Sequence, residues 1–358
     1  MNPASTVARA PTPALVIDES VLDANIAHMA EFTERAGLSL RPHVKTHKSI
    51  EIARRQIAAG AVGITVATLS EALIFSEAGC TDIFIAYPVW LDESKAAMLG
   101  RVLIHSSVLL GVDSIEGAAQ IADSGLAQSG RLAVLIEVDS GHHRSGVQPD
   151  EAGFLAAAVR DSGLDVAGVF TFPGHSYAPE TRQSAARDEH RALSEALAAL
   201  ADKGIVARVV SGGSTPSLEF AEPSVLTEVR PGVYVFGDAQ QWELGTIEPS
   251  TIALTVIATV VSHSPDHLIL DAGSKVLGAD RGAYSSGFGR LLDYPDARIT
   301  ALSEHHATVT GVELERGRRV RVVPNHSCAA VNLADEYLAA GADGAARWWP
   351  VNARGRNR

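Results

Sequence analysis

Lysine is scarce in this chain, and one of the five lysines stands where a nucleophilic amine would be useful. They are Lys45, Lys48, Lys95, Lys203 and Lys275. Lys45 closes a short apolar run in Arg41-Pro42-His43-Val44-Lys45-Thr46-His47-Lys48. An amine at the inner end of a strand, in a crowded low-dielectric site, has its pKa lowered and becomes available for Schiff-base chemistry. A lysine on a solvated rim would read the same from the strand alone. A second cluster, Ser211-Gly212-Gly213-Ser214-Thr215, combines two glycines that let backbone N–H groups approach an anion with hydroxyls that add donors. Arg144, after Asp139-Ser140-Gly141-His142-His143, suits a bidentate carboxylate or a ring heteroatom, and equally a structural ion pair. His175 and Tyr177, in Pro173-Gly174-His175-Ser176-Tyr177, offer hydrogen bonds and proton transfer, or simply a satisfied loop histidine beside a packed tyrosine. His326 and Cys328, in Pro324-Asn325-His326-Ser327-Cys328, would face the same way in extended chain. Imidazole and thiolate together suit zinc, with positions left open for water or substrate. Alone, the pair is as consistent with a buried cysteine beside a loop histidine.

These residues need elements to hold them. Eight apolar runs read as strands, near Ser39–Lys45, Val62–Ala67, Asp82–Tyr87, Ser107–Val112, Leu132–Val138, Val166–Thr171, Ala207–Ser211 and Thr227–Val235. Alanine-rich amphipathic segments, including Glu71–Gly79, Ser114–Ala127, Glu151–Ser162 and Ala186–Lys203, separate most of them. Parallel strands require such crossovers. Eight β/α units in succession predict a TIM (β/α)8 barrel of the α/β class. Such barrels work at the C-terminal ends of their strands. Lys45, Thr68 and Glu71, Tyr87, Asp139 and Arg144, His175 and Tyr177, Ser211–Thr215, and Tyr234 with Asp238 all fall at those ends. The glycine loop follows strand seven, where this fold commonly holds phosphate. After about Trp242, Thr251–Ser262, His267–Asp271, Thr308–Val312 and Arg319–Val323 read as strands without helices between them. They predict a second, mainly antiparallel β domain. The expected boundaries are 18–243 for the barrel and 244–358 for the β domain, joined by the segment 1–17, of which Ala14–Ile17 would add a strand.

Composition narrows the function. Of the 358 residues 46% are hydrophobic, enough for a large core, and the net charge of −12 disfavours nucleic acid and anionic membranes alike. The start shows neither a signal peptide nor a spanning helix, and only two cysteines, Cys80 and Cys328, argue against a disulfide framework. A cytoplasmic protein is expected.

Together these motifs resemble the D-serine dehydratase and D-threonine aldolase family of pyridoxal 5'-phosphate (PLP) enzymes, with the alanine-racemase-like fold type III. The resemblance runs from Pro11-Thr12-Pro13 to Trp349 and also includes Arg230-Pro231-Gly232-Val233-Tyr234. It implies that Lys45 is the Schiff-base lysine and that Tyr177, Gly212, Gly213, Ser214 and Tyr234 hold the cofactor; Ser211 and His175 are expected beside them. It implies Arg144 near the ring, and a metal on His326 and Cys328 near the cofactor. It further implies a small D-β-hydroxy amino acid as substrate and a homodimer. His-x-Cys points to zinc and to the dehydratase branch, since the aldolase pattern more often carries His-x-Asp and a Mn2+ or Mg2+ type ion. One departure is Ser303-Glu304-His305-His306, where His306 replaces a small residue. Rival readings are an amino acid racemase, which would need no metal, a non-catalytic PLP-binding homeostasis protein, which would lack the β domain, and a metal-dependent barrel hydrolase, which would cluster its ligands at strand ends.

Overall fold

The structure is a computed structural model that describes Ala10 to Arg358; residues 1–9 of the predicted joining segment lie outside the described residues. Two compact units emerge. One comprises the chain up to Met29, Thr46–Arg55 and Val233–Gly355; the other comprises Ala30–Lys45, Gln56–Gly232 and Arg356–Arg358.

The N-terminal strand β1, Ala14–Asp18, belongs to the first unit. The eight strands of the second follow as β2 (Ser39–Leu40), β3 (Ile64–Val66), β4 (Asp82–Pro88), β5 (Ser107–Val112), β6 (Leu132–Glu137), β7 (Val166–Phe170), β8 (Val209–Gly212) and β9 (Glu228–Val229). They form one parallel sheet in the order β2-β9-β8-β7-β6-β5-β4-β3. A parallel bridge between His43 and Thr65 joins its two ends, and the Val62 N–H donates to the Leu40 carbonyl at 2.9 Å. The predicted barrel is thus present. Its floor is apolar: Phe84 and Phe170 meet edge to face at 5.0 Å beside Leu135 and Ala167. Gly111 is glycine because a Cβ there would lie 2.8 Å from the Phe170 ring.

The first and eighth barrel strands depart most from prediction, each cut to two residues ahead of a proline. The first ends at Leu40 because Pro42 has no N–H to donate, and Val44–His47 then form a turn. Lys45 therefore sits in that turn rather than on the strand. The eighth ends at Val229 because Pro231-Gly232 follows; Val233–Val235, with Tyr234, is a 3-10 turn. Thr68 and Glu71, read above as strand-end polar residues, instead form a helix cap. The Thr68 hydroxyl accepts the Glu71 N–H at 3.1 Å, and the Glu71 carboxylate accepts the Ala67 N–H at 2.8 Å.

The other unit holds β10 (Leu254–His263), β11 (Leu268–Leu270), β12 (Gly289–Leu291), β13 (Tyr294–Leu302), β14 (Ala307–Thr310), β15 (Arg319–Pro324), β16 (Glu336–Ala340) and β17 (Ala346–Pro350). With β1 they make a nine-stranded sheet, β11-β14-β13-β12-β15-β10-β1-β16-β17. Because β10 also pairs with β11, six antiparallel strands close into a ring. As expected, the Ala14–Ile17 segment joins this sheet: β1 is antiparallel to β10 and parallel to β16. Among the described residues no helix is long and apolar enough to cross a membrane.

Candidate active site

Phe172 is the hub of the barrel cluster. It follows β7, and around its ring lie Lys45 Nζ at 5.9 Å, the Arg144 guanidinium at 5.2 Å, the His142 ring edge-on at 5.6 Å and the Tyr177 ring at 6.2 Å. Three residues singled out from sequence, Lys45, Arg144 and Tyr177, therefore share one aromatic surface. Arg144 is half exposed, and its nearest carboxylate, Glu137, is 3.9 Å away, too far for a strong pair. Glu137 itself is raised by burial. The loop bearing Arg144 is fixed by Asp139, which accepts the Gly141 and His143 N–H groups at 2.9 and 3.0 Å and pairs with His143 Nδ1 at 2.7 Å. Burial opposes ionisation of Asp139, but these bonds leave its pKa below the usual value. His142 is lowered by burial and then by the charge of Arg144.

His175 is mostly buried, and neither ring nitrogen has a hydrogen-bond partner. Its Nε2 stands 3.4 Å from Asp188 without hydrogen-bond geometry. Its neighbour Ser176 ties the two predicted motifs together. The Ser176 hydroxyl bonds that of Ser214 at 2.9 Å, and Ser214 bonds Ser217 at 2.8 Å, all three being buried. Gly213 has φ +75, a conformation that favours glycine. A Cβ on Gly212 would lie 2.4 Å from the Glu189 carboxylate, which accepts the Gly213 N–H at 2.7 Å. Ser211 points instead into the barrel. Its hydroxyl donates to Glu228 and receives Arg230, both at 2.6 Å. Arg41 pairs with Glu228 at 2.8 Å, and Arg230 lies over Phe84 and Phe170. Burial brings Arg230 down to about 10, so it stays charged at neutral pH.

Glu189, on the helix Arg182–Asp202, is pushed up to about 7 by burial, against the pull of the Gly213 N–H and Arg230. The unfolded chain ionises this group near its ordinary value of 4.5. An acid raised on folding destabilises the native state progressively as pH climbs from about 4.5 to about 7, by roughly 3 kcal/mol at the top of that window. Glu189→Gln keeps an oxygen for the Gly213 N–H. It should leave Tm nearly unchanged at pH 5 and raise it at pH 8. An equal Tm shift at both values would mean that Glu189 does not titrate there.

Tyr234, His326 and Cys328 belong to the other unit. Tyr234 is buried in its 3-10 turn. His326 and Cys328 do not share a strand face as predicted. β15 ends at Pro324, His326 is the N-cap of the helix Ser327–Leu333, and Cys328 lies in its first turn. The helix start nevertheless brings them together: the charge of Cys328 is the main cause of a raised His326 pKa, followed by burial, which opposes it, and the hydrogen bond that His326 donates to Asp280. His326 Nδ1 is 2.9 Å from Asp280 Oδ2, and Cys328 Sγ is 3.3 Å from the Thr46 hydroxyl. Asp238 caps the helix Ala239–Glu243 and also accepts the Ser327 N–H at 3.1 Å. Among the described residues no third His, Cys, Asp or Glu completes a metal cage. His305 and His306 are exposed in the turn between β13 and β14.

Sequence reasoning missed Phe172, Glu189 and Asp280. Phe172 carries no chemistry of its own, though its place between Thr171 and Pro173 at a strand end was a signal. Glu189 is one charge in the polar run Arg187-Asp188-Glu189-His190, and only its helical phase distinguishes it. Asp280 stands in a loop 46 residues before its partner, and no spacing rule links them.

A (β/α)8 barrel and an antiparallel β-barrel in one chain define a protein of the alanine-racemase architecture. Residues 17–240 match the alanine racemase N-terminal domain, and residues 253–340 match a putative serine dehydratase domain. The chain is 37% identical to the D-threo-3-hydroxyaspartate dehydratase of Delftia sp. (strain HT23), over 94% of this chain and 96% of the other. It is 34% identical to a D-threonine aldolase of Arthrobacter sp., over 100% and 96%. The solved structure of the Delftia dehydratase superposes with a TM-score of 0.89, at 36% identity, covering 96% of this chain and 98% of the other. A cysteine-to-alanine form of that dehydratase has also been solved and is described as metal-free. The chain belongs to the D-serine dehydratase and D-threonine aldolase family of PLP-dependent lyases.

The residues present fit both groups this family implies. The buried ring nitrogens of His175, which have no hydrogen-bond partner, are polar atoms that a phosphorylated pyridine could satisfy. The imidazole and thiolate of His326 and Cys328 are donors that zinc accepts.

Proposed function

We propose that this chain is a metal-assisted dehydratase of D-β-hydroxy amino acids, of the D-serine ammonia-lyase type, releasing a 2-oxo acid and ammonia. The observation that carries the reading is the His326–Cys328 pair, whose thiolate favours zinc over manganese or magnesium by ligand softness. When bound, PLP supplies an electron sink for charge developing at Cα, and the metal ion is a Lewis acid for the β-hydroxyl.

The chain's own residues supply the rest. Lys45 Nζ, once released from the cofactor, takes the Cα proton. The Phe172 ring stands beside it, its centroid 5.9 Å from Nζ. Arg144, half exposed on the same ring, is the cation placed to meet the substrate carboxylate. Tyr177, Gly212, Gly213 and Ser214 hold the phosphate end, with Tyr234, and His175 donates to the cofactor from its unpartnered ring. The β-hydroxyl leaves as water with the proton that Lys45 took from Cα, and the released 2-aminoacrylate-type product takes up water to give the 2-oxo acid and ammonia. His326 and Cys328 hold the ion. A cytoplasmic homodimer is part of the same proposal.

A second reading, retro-aldol cleavage, is favoured by the full-length match to a D-threonine aldolase. D-Threonine separates the two. Incubation with PLP and zinc should give 2-oxobutyrate and ammonia by proton NMR. Glycine and acetaldehyde would instead establish the aldolase reading.

A further inference from the structure

The motif Pro324-Asn325-His326-Ser327-Cys328 contains two residues between and before its metal donors that the sequence leaves without a role. In the fold, each grips a different part of the frame. Asn325 is buried, and its Nδ2 donates to the carbonyls of Asp280 at 3.2 Å and Gly287 at 2.7 Å, pinning the loop that bears Asp280. Ser327 offers its N–H to the buried Asp238, which fixes the start of the helix that carries Cys328. Asn325 thus ties the Asp280 loop to the motif, Asp238 fixes the helix start, and at the donors themselves the loop reaches the motif through Asp280 Oδ2 to His326 Nδ1, 2.9 Å.

We infer that Asp280 is the positioning residue of the metal pair, taking the Nδ1–H of His326 and so leaving Nε2 as the nitrogen for the ion. The inference rests on the reading of His326 and Cys328 as metal ligands. An imidazole has two nitrogens, and the hydrogen bond made by one decides which is left for the metal. Nδ1 is engaged by the carboxylate, so Nε2 is the one that remains. A carboxylate behind a ligating histidine fixes the ring's tautomer and orientation and makes the ligand nitrogen a better donor. Among the described residues Asp280 does not complete a metal-binding group of three with His326 and Cys328, and its carboxylate bonds the histidine ring, so its part is orientation of the ring rather than ligation.

The test is zinc affinity of the purified full-length chain, measured by competition with a chromophoric chelator, which does not depend on turnover. Asp280→Ala should weaken zinc binding by roughly 10- to 100-fold. Asp280→Asn, which still presents an oxygen to Nδ1–H, should recover most of that loss. Zinc affinity unchanged in Asp280→Ala would overturn the inference. So would equal losses in the Ala and Asn variants, because the charge rather than the orientation would then matter. His326→Ala and Cys328→Ala run alongside separate the two levels. If both bind zinc like the parent, the ligand reading itself fails and takes the inference with it; if both lose zinc while Asp280→Ala does not, only the inference fails.

Discussion

Lys45→Ala should lower turnover by more than about 10⁴-fold, because it removes both the covalent attachment point and the base in one change. The structure makes the competing lysine explicit. Lys48 is three residues on, buried, and its Nζ is bonded to Asn332 at 2.8 Å. Lys95 bonds the Trp90 carbonyl, and Lys275 pairs with Glu304 at 2.9 Å. The Lys45 amine lies 5.9 Å from the Phe172 ring, over which the Arg144 guanidinium also stands. Borohydride reduction of the PLP-loaded protein, followed by peptide mass analysis, should place the cofactor on the peptide at Lys45 and leave the variant unlabelled. Label on Lys48, or full turnover by Lys45→Ala without added amine, would remove Lys45 from the mechanism. Adding a small primary amine to the variant should restore some activity if its fold is intact, which separates lost chemistry from lost structure.

What could be read from the chain divides along physical lines. The barrel was legible because each of its strands is a compact apolar run set off by an amphipathic helix, and because function sits at the strand ends of such a barrel. Its details were lost where proline interrupted the ladder: Pro42 displaced Lys45 into a turn, and Pro231 turned the predicted end of strand eight into the Tyr234 turn. Four strands of the β domain went unseen. Gly289–Leu291 is too short to alternate, Tyr294–Leu302 opens on Pro295 and Asp296, and Glu336–Ala340 and Ala346–Pro350 are alanine-rich or charged. In the site, motif chemistry survived better than motif geometry. His326 and Cys328 do meet, but through a helix start rather than a strand face, since Pro324 ends the strand two residues too soon. Ser211 shows the opposite outcome. It lies in the right loop, yet its hydroxyl is held between Glu228 and Arg230 inside the barrel, a pairing no local pattern encodes.

Cys328 carries the second large effect. Cys328→Ala should abolish stoichiometric zinc, measured by elemental analysis, and cut dehydration of D-serine by about 10³-fold, since Lewis-acid assistance to a poor leaving group is worth several kcal/mol. PLP should stay bound, because all the proposed cofactor residues except Tyr234, among them Lys45, Tyr177 and Gly212–Ser214, lie in the other unit. The same residue also tests why this chain reads as a dehydratase. Cys328→Asp exchanges a soft donor for a hard one while keeping an anion beside His326, so metal should be retained but preference should move from zinc toward manganese. If the softness of the ligand selects the reaction as well as the ion, products from D-threonine should shift from 2-oxobutyrate toward glycine and acetaldehyde when the variant is loaded with manganese. If the metal changes and the products do not, the thiolate sets metal identity only, and the choice between elimination and cleavage lies with the base in the barrel. Loss of PLP together with zinc in Cys328→Ala would show instead that Cys328 supports the fold.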